Sequence, residues 1–235
     1  MTSSSAVRPF RASLDSRPGA GAHHFEPAAC SAGGGGGEIV NTCATKFTLA
    51  ADNLITTQAE VDVTFTHLAS LLTYGSGGPT IPVHVCYSKN NGSNYSGLFG
   101  GAGNCNGNGN AYGNAVKVNG TDTKVVNNIA ASSKISVMIR GKYTQNGWLA
   151  FSEVYNSKNH PTRVLYLKNG DNPTANTGFG NQQSLKNLLQ AKGLLNAQGK
   201  VALGTCEVLA VSEIGVAPGS STADFQDSVM KISFN

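Results

Sequence analysis

Charge is scarce in this sequence. Asp, Glu, Lys and Arg make up 13 % of its 235 residues, about half the share of an ordinary soluble domain, so amides and hydroxyls rather than ions must solvate the surface. The formal charge of +4 is spread thinly, with no Lys/Arg run longer than a pair. A nucleic-acid footprint needs clustered cations, and nucleic acid is set aside as a partner. No stretch approaches the 18 apolar residues that a membrane-spanning helix requires, so no transmembrane span is expected. CxxC and His–Cys spacings of the zinc-site kind are missing as well. So are GxSxG, GxxxxGK[ST], and GxGxxG set between a strand and a helix. No nucleophile can be paired with a base, and the sequence points away from an enzyme.

What the chain does have in quantity is turn material. Gly reaches 29 copies, joined by many Asn, Ser and Thr, the residues that supply positive φ and local hydrogen bonds at turns. That composition suits an extracellular β protein. Its five cysteines, at 30, 43, 86, 105 and 206, lie far apart and read most simply as disulfides. Cys86 and Cys105 bracket a Gly/Asn-rich excursion, and cross-linking a loop of that length removes roughly 3 kcal/mol of unfolded-state entropy. Cys43 with Cys206 is the second expected pair, tying an early strand to a late one and leaving Cys30 over. The competing reading is five free thiols in a reducing compartment.

Residues 1–37 show no apolar periodicity and end in five glycines, the composition of a flexible tail or linker; a β-sandwich domain is expected over 38–235. Deleting the tail should leave stability nearly unchanged. It has no apolar core of the kind a conventional secretory signal needs. The AAC at Ala28–Cys30, followed by SAGGGGG, is similar to the surroundings of a lipoprotein's acylated cysteine, but no apolar segment precedes it. Beyond residue 45, apolar residues alternate: Val61, Val63 and Phe65; Ile81, Val83, Val85 and Tyr87; Ile135, Val137 and Ile139. Period-two alternation marks half-buried strands, and places His84, between Val83 and Val85, on the solvent side or against a neighbouring strand. TKFTLA, NAVKV, GWLAFSEVY, RVLYLK, CEVLAVSEI and SVMKISF are further strands between Gly-, Asn- and Pro-rich turns. Nine or more strands predict an all-β fold, a two-sheet β-sandwich that is jelly-roll-like or related. The sole helical pattern, QQSLKNLLQAKGLL, puts Leu185, Leu188 and Leu189 on one face with Gly193 as its C-terminal cap, a short helix crossing one end of the sheets. WLAFSEV and VLAVSEI form a faint internal echo, consistent with a duplicated unit or with two strands of like alternation.

The C-terminal segment, EVLAVSEIGVAPGSSTADFQDSVMKISFN, carries the chemistry. A strand ends in Glu213, a Gly/Ser-rich turn follows, and Asp224 and Asp227 precede the last strand, in which Met230, Ile232 and Phe234 share a face. Three carboxylates so placed can converge on one hard cation. Calcium takes six to eight oxygens, the rest coming from turn carbonyls and hydroxyls. From Thr205 to Asn235 this pattern resembles the C-terminal signature of a bacterial domain of unknown function found in large secreted adhesins and surface-anchored proteins, whose last turn reads DxDFND. The resemblance implies calcium as cofactor, with Glu213, Asp224 and Asp227 as metal ligands. Thr222 stands where the first Asp of that signature falls and Gln226 where Asn is common, which weakens the site. The other reading is that the Asp side chains only cap turn amides.

These observations point to an extracellular or cell-surface, non-catalytic binding or structural module, adhesin-like or part of a surface assembly. Its expected partners are other surface proteins, glycans, or copies of itself in a homo-oligomer. A capsid-like jelly-roll shell protein is one alternative, but Arg8, Arg11 and Arg17 against Asp15 and Glu26 are too few to neutralise a packaged genome. A calcium-dependent glycan-binding lectin is another, with Tyr87, Tyr95, Tyr112 or Trp148 as stacking platforms; aromatics at 7 % are no excess.

Overall fold

The computed structural model describes residues 43–75, 77–100, 105, 122–173 and 182–235. The 1–37 tail, Cys30, NAVKV, Tyr112 and most of the Gly/Asn-rich loop lie outside the described residues. In chain order the strands are β1 (Phe47–Leu49), β2 (Ile55–Thr57), β3 (Val61–Ala69), β4 (Val83–Ser88), β5 (Ser96–Phe99), β6 (Asp122–Ile129), β7 (Lys134–Gln145), β8 (Trp148–Asn156), β9 (Val164–Leu167), β10 (Glu207–Ser212) and β11 (Ser228–Phe234), with α1 (Gln182–Ala191) between β9 and β10. They form two antiparallel sheets. The first runs β1-β2-β7-β4-β5, with β8 also paired to β7; the second runs β6-β3-β11-β10-β9.

The pairing is nested. β4 pairs with β5, β3 with β6 and β2 with β7, and successive pairs fall in alternate sheets. A long hairpin wound around itself produces this order, which is jelly-roll winding; β1 departs from it by pairing β2, and β8 to β11 extend both sheets. The alternating residues read from the sequence line the space between the sheets: Val63, Phe65, Val85, Ile135, Ile139 and Ile232 are completely buried there. Each such side chain contributes roughly 1.5–3 kcal/mol by leaving water.

Both sheets are also covered outside. Leu68, Leu167, Leu209, Val211 and Val229, on the outer face of the second sheet, pack against Leu185 and Leu189 of α1. Buried on both faces, β10 reads EVLAVS as a nearly continuous apolar run instead of alternating. The helix therefore lies over a sheet face, a correction to the expected crossing at one end: its apolar stripe is the lid of a second core. It stops where the sequence predicts. Gly193 adopts φ 70, the Gly193 amide donates to the Gln190 carbonyl, and the Leu194 amide donates to the Leu189 carbonyl, which together make a Schellman cap.

On the outer face of the first sheet, Cys86, Tyr95, Cys105 and Met138 make a third cluster, and Cys86 is joined to Cys105 as a disulfide. His84 belongs to this covered face. It is 2 % exposed, with Nε2 3.9 Å from Cys105 Sγ, so the side of β4 turned away from the main core is covered here rather than open to solvent.

The pairing expected between Cys43 and Cys206 is corrected: the structure leaves these two thiols unjoined. They are neighbours nonetheless. Cys206 stands just before β10 at φ 60, a conformation that aims its backbone N–H at Cys43 Sγ, 2.9 Å away, while its own side chain packs into the main core. Three strands escape the sequence pattern. β2 and β5 are very short, and β6, an edge strand, is largely exposed, Val125 being 51 % accessible, and only Val126 and Ile129 meet the main core; with so little of it buried there is no alternation to read. Among the described residues no helix is long and apolar enough to cross a membrane.

Candidate functional site

The connection from β10 to β11 gathers the three predicted carboxylates. Glu213 follows the end of β10 directly, and its backbone N–H donates to the Arg163 carbonyl at 2.9 Å. Asp227 immediately precedes β11, and its carbonyl accepts from the Ser70 hydroxyl at 2.7 Å. Between them the turn is plugged into the second core by Phe225, completely buried yet held at φ 54. A bulky residue in the left-handed region is strained. Here that conformation turns two successive amides, those of Asp224 and Phe225, onto Glu213 Oε2, each at 2.9 Å, an arrangement of N–H groups that cradles an anion. Asp227 Oδ2 in turn accepts from the Ile214 amide. Asp224 is steadied by Gln226, whose side-chain amide donates to Oδ2 at 2.7 Å.

Carboxylate oxygens of Glu213, Asp224 and Asp227 thus lie within 4.8 Å of one another. Glu213 is 2 % and Asp227 5 % exposed, and Asp224 is half-buried. Desolvation pushes the Glu213 carboxyl up to about 7, the Phe225 and Asp224 amides opposing it, the Asp224 charge adding to it and Arg163 opposing it. Burial, and then the Glu213 charge, hold Asp227 well above the usual carboxylate range. Two carboxyls in this position cannot both ionise unaided. The pair either shares a proton or meets a cation, and all-oxygen donors on a turn are the hard ligands calcium takes. One oxygen each of Glu213 and Asp227 caps main-chain amides, while the three carboxylates converge.

The periphery was missed by sequence reasoning. Arg163 donates from Nη1 to the Val216 carbonyl and its guanidinium stacks 4.5 Å from the centre of the Tyr155 ring; Glu153 Oε2 of β8 accepts the Gly215 amide at 2.9 Å. No motif joins these residues: Glu153 and Tyr155 lie on β8, Arg163 in the turn before β9, and Gly215 and Val216 in the β10–β11 connection. The echo between WLAFSEV and VLAVSEI is carried by β8 and β10, which lie in different sheets. Thr222 shares a hydrogen bond with the Ser220 hydroxyl at 3.0 Å. Of the proposed aromatic platforms, Tyr95 is buried with its hydroxyl 2.8 Å from Ser136 Oγ and Tyr87 packs against the main core, while the Trp148 side chain lies outside the described residues. Tyr74 is exposed, its ring centre 5.1 Å from that of the half-buried Tyr143. Comparison with known families, curated proteins and solved structures gave no match to this chain.

Proposed function

We propose that this chain is an extracellular or cell-surface β-sandwich module that binds or assembles rather than catalyses, and that calcium bound by Glu213, Asp224 and Asp227 secures its last two strands. The convergence of the three carboxylates within 4.8 Å carries the reading. Burial supports the non-catalytic role: with Glu213 2 % and Asp227 5 % exposed, the pair has room for an ion but not for a substrate. The Cys86–Cys105 disulfide supports an oxidising location, and the sparse charge supports partners reached through hydrogen bonds, whether other surface proteins, glycans or further copies of the chain. The resemblance of the last turn to that of bacterial adhesins points the same way.

The test is thermal melting at pH 8 in millimolar calcium and in chelator. A ligand at a hundredfold excess over its dissociation constant stabilises by about 2.7 kcal/mol, which for a domain of this size is roughly 5–10 °C in Tm. Asp227→Asn is expected to abolish that increment while leaving the calcium-free protein as stable as before or slightly more so, through relieved repulsion. Identical melting curves in calcium and in chelator would overturn the proposal.

A further inference from the structure

We propose that His67 is an acid-sensitive latch, holding the β5–β6 end of the sandwich closed while its imidazole is neutral and releasing it when protonated. His67 continues the inward face of β3 after Val61, Val63 and Phe65. It is completely buried, its ring lies against that of Phe99 on β5, centres 5.7 Å apart, and neither ring nitrogen makes a hydrogen bond of normal geometry among the described residues, the Ala69 backbone offering only a weak one. Buried polar groups nearly always have partners. A neutral imidazole between apolar neighbours bears this at modest cost, whereas an imidazolium there would be a buried charge that the exposed Asp122 and the Ala69 backbone only partly offset.

The charged groups acting on His67 are Asp122 of β6, which raises its basicity, and Lys192 just beyond α1, which lowers it; Phe99 on β5 and Met230 on β11 are uncharged. Asp122 is the register partner of His67 across β3 and β6 and is exposed. A protonated ring therefore gains both water and a counter-charge by leaving Phe99 for the sheet edge. Phe99 closes a strand of four residues, Ser96–Phe99, and β6 has a single partner strand among the described residues; beside the His67–Phe99 contact, β5 and β6 are joined by the Lys124 ammonium donating to the Gly97 carbonyl at 2.7 Å. Burial, the largest cause, lowers the His67 pKa from 6.5 to about 4. Its contribution to stability is accordingly present above pH 6.5 and is lost as the pH falls toward 4.

The experiment compares the wild-type chain with His67→Phe by denaturant unfolding in chelator at pH 7.5 and pH 4.5. From the two pKa values, 6.5 and about 4, the wild-type folding equilibrium constant should fall about 70-fold relative to the variant between those conditions. The Glu213–Asp227 pair titrates alike in both proteins and cancels. At pH 4.5, hydrogen exchange should show weaker protection of β5 and β6 amides in the wild type than in the variant, with β7 alike in both. Parallel pH profiles would overturn the proposal. Should His67→Phe fail to fold, the ring proton signals of the wild-type protein decide: a His67 pKa below about 6 supports the latch, and one at or above about 6 overturns it.

Discussion

Glu213 and Asp227 are ordinary acidic residues made unusual by position. Their carboxylates lie within the same 4.8 Å cluster, out of water, and in the absence of a cation they retain a proton that carboxyls in the unfolded chain release near pH 4.5. The folded state therefore binds protons more tightly, and the stability this confers is present below about 4.5 and is lost as the pH rises through about 7. His67 acts in the opposite direction over an overlapping range, so the carboxyl contribution is best read in the His67→Phe background. There, urea unfolding in chelator is expected to give a lower midpoint at pH 8 than at pH 5.5, and adding Glu213→Gln should flatten the profile. Calcium should restore the pH 8 midpoint while scarcely altering that at pH 5.5, because protons and calcium compete for the same oxygens. A midpoint in chelator that rises steadily from pH 5.5 to pH 8 in that background would exclude the shared proton.

Among the elements, the β10–β11 turn joins packing to chemistry. Phe225 fills the second core beneath α1, and its backbone conformation delivers two amides to Glu213. Phe225→Ala should lower stability by about 3–5 kcal/mol through the cavity it leaves. It should also reduce the increment from calcium, since the loosened turn no longer holds Glu213 in place. Melting in calcium and in chelator separates the two effects: a variant that is destabilised yet retains the full calcium increment would show that packing and ligation are independent. The helix is tied to the same core. Leu185 and Leu189 are completely buried, so α1 owes its place to the outer face of the second sheet rather than to intrinsic propensity, as a helix of ten residues is marginal alone in water.

At the scale of the molecule, the nested pairing joins residues far apart in the chain. Phe47 stacks on Phe234 at 4.1 Å between ring centres, and the Cys206 amide reaches Cys43. Long loops must close before such contacts form, so folding on the millisecond-to-second scale of other sandwiches is expected. The Cys86–Cys105 cross-link shortens that search locally. Protein isolated without reductant should yield a Cys86–Cys105 peptide on mapping, and reduction should lower stability by about 3 kcal/mol; recovery of both as free thiols from oxidised protein would contradict the structure and remove the main support for an extracellular location.

Much of this was legible in the residues themselves. Alternation in AEVDVTF, IPVHVCY, KISVMIR and SVMKISF identified strands and their core faces, because a half-buried strand imprints its burial on every second position. The leucine stripe and Gly193 identified the helix and its end, and the spacing of Glu213, Asp224 and Asp227 identified a turn where carboxylates meet. The remainder depended on what lies across space. Burial of His84 and of Tyr95 and the place of α1 on a sheet face depend on second neighbours that leave no local pattern. Cys43 and Cys206 could be brought near each other by topology, but the turn geometry at Cys206 decided which atom faces the sulfur. His67 was not singled out from the sequence, and it became a buried titratable group only once Phe99 closed over it. Local periodicity records which side of an element is buried; what buries it, and therefore the charge state of the group beneath, belongs to the tertiary structure.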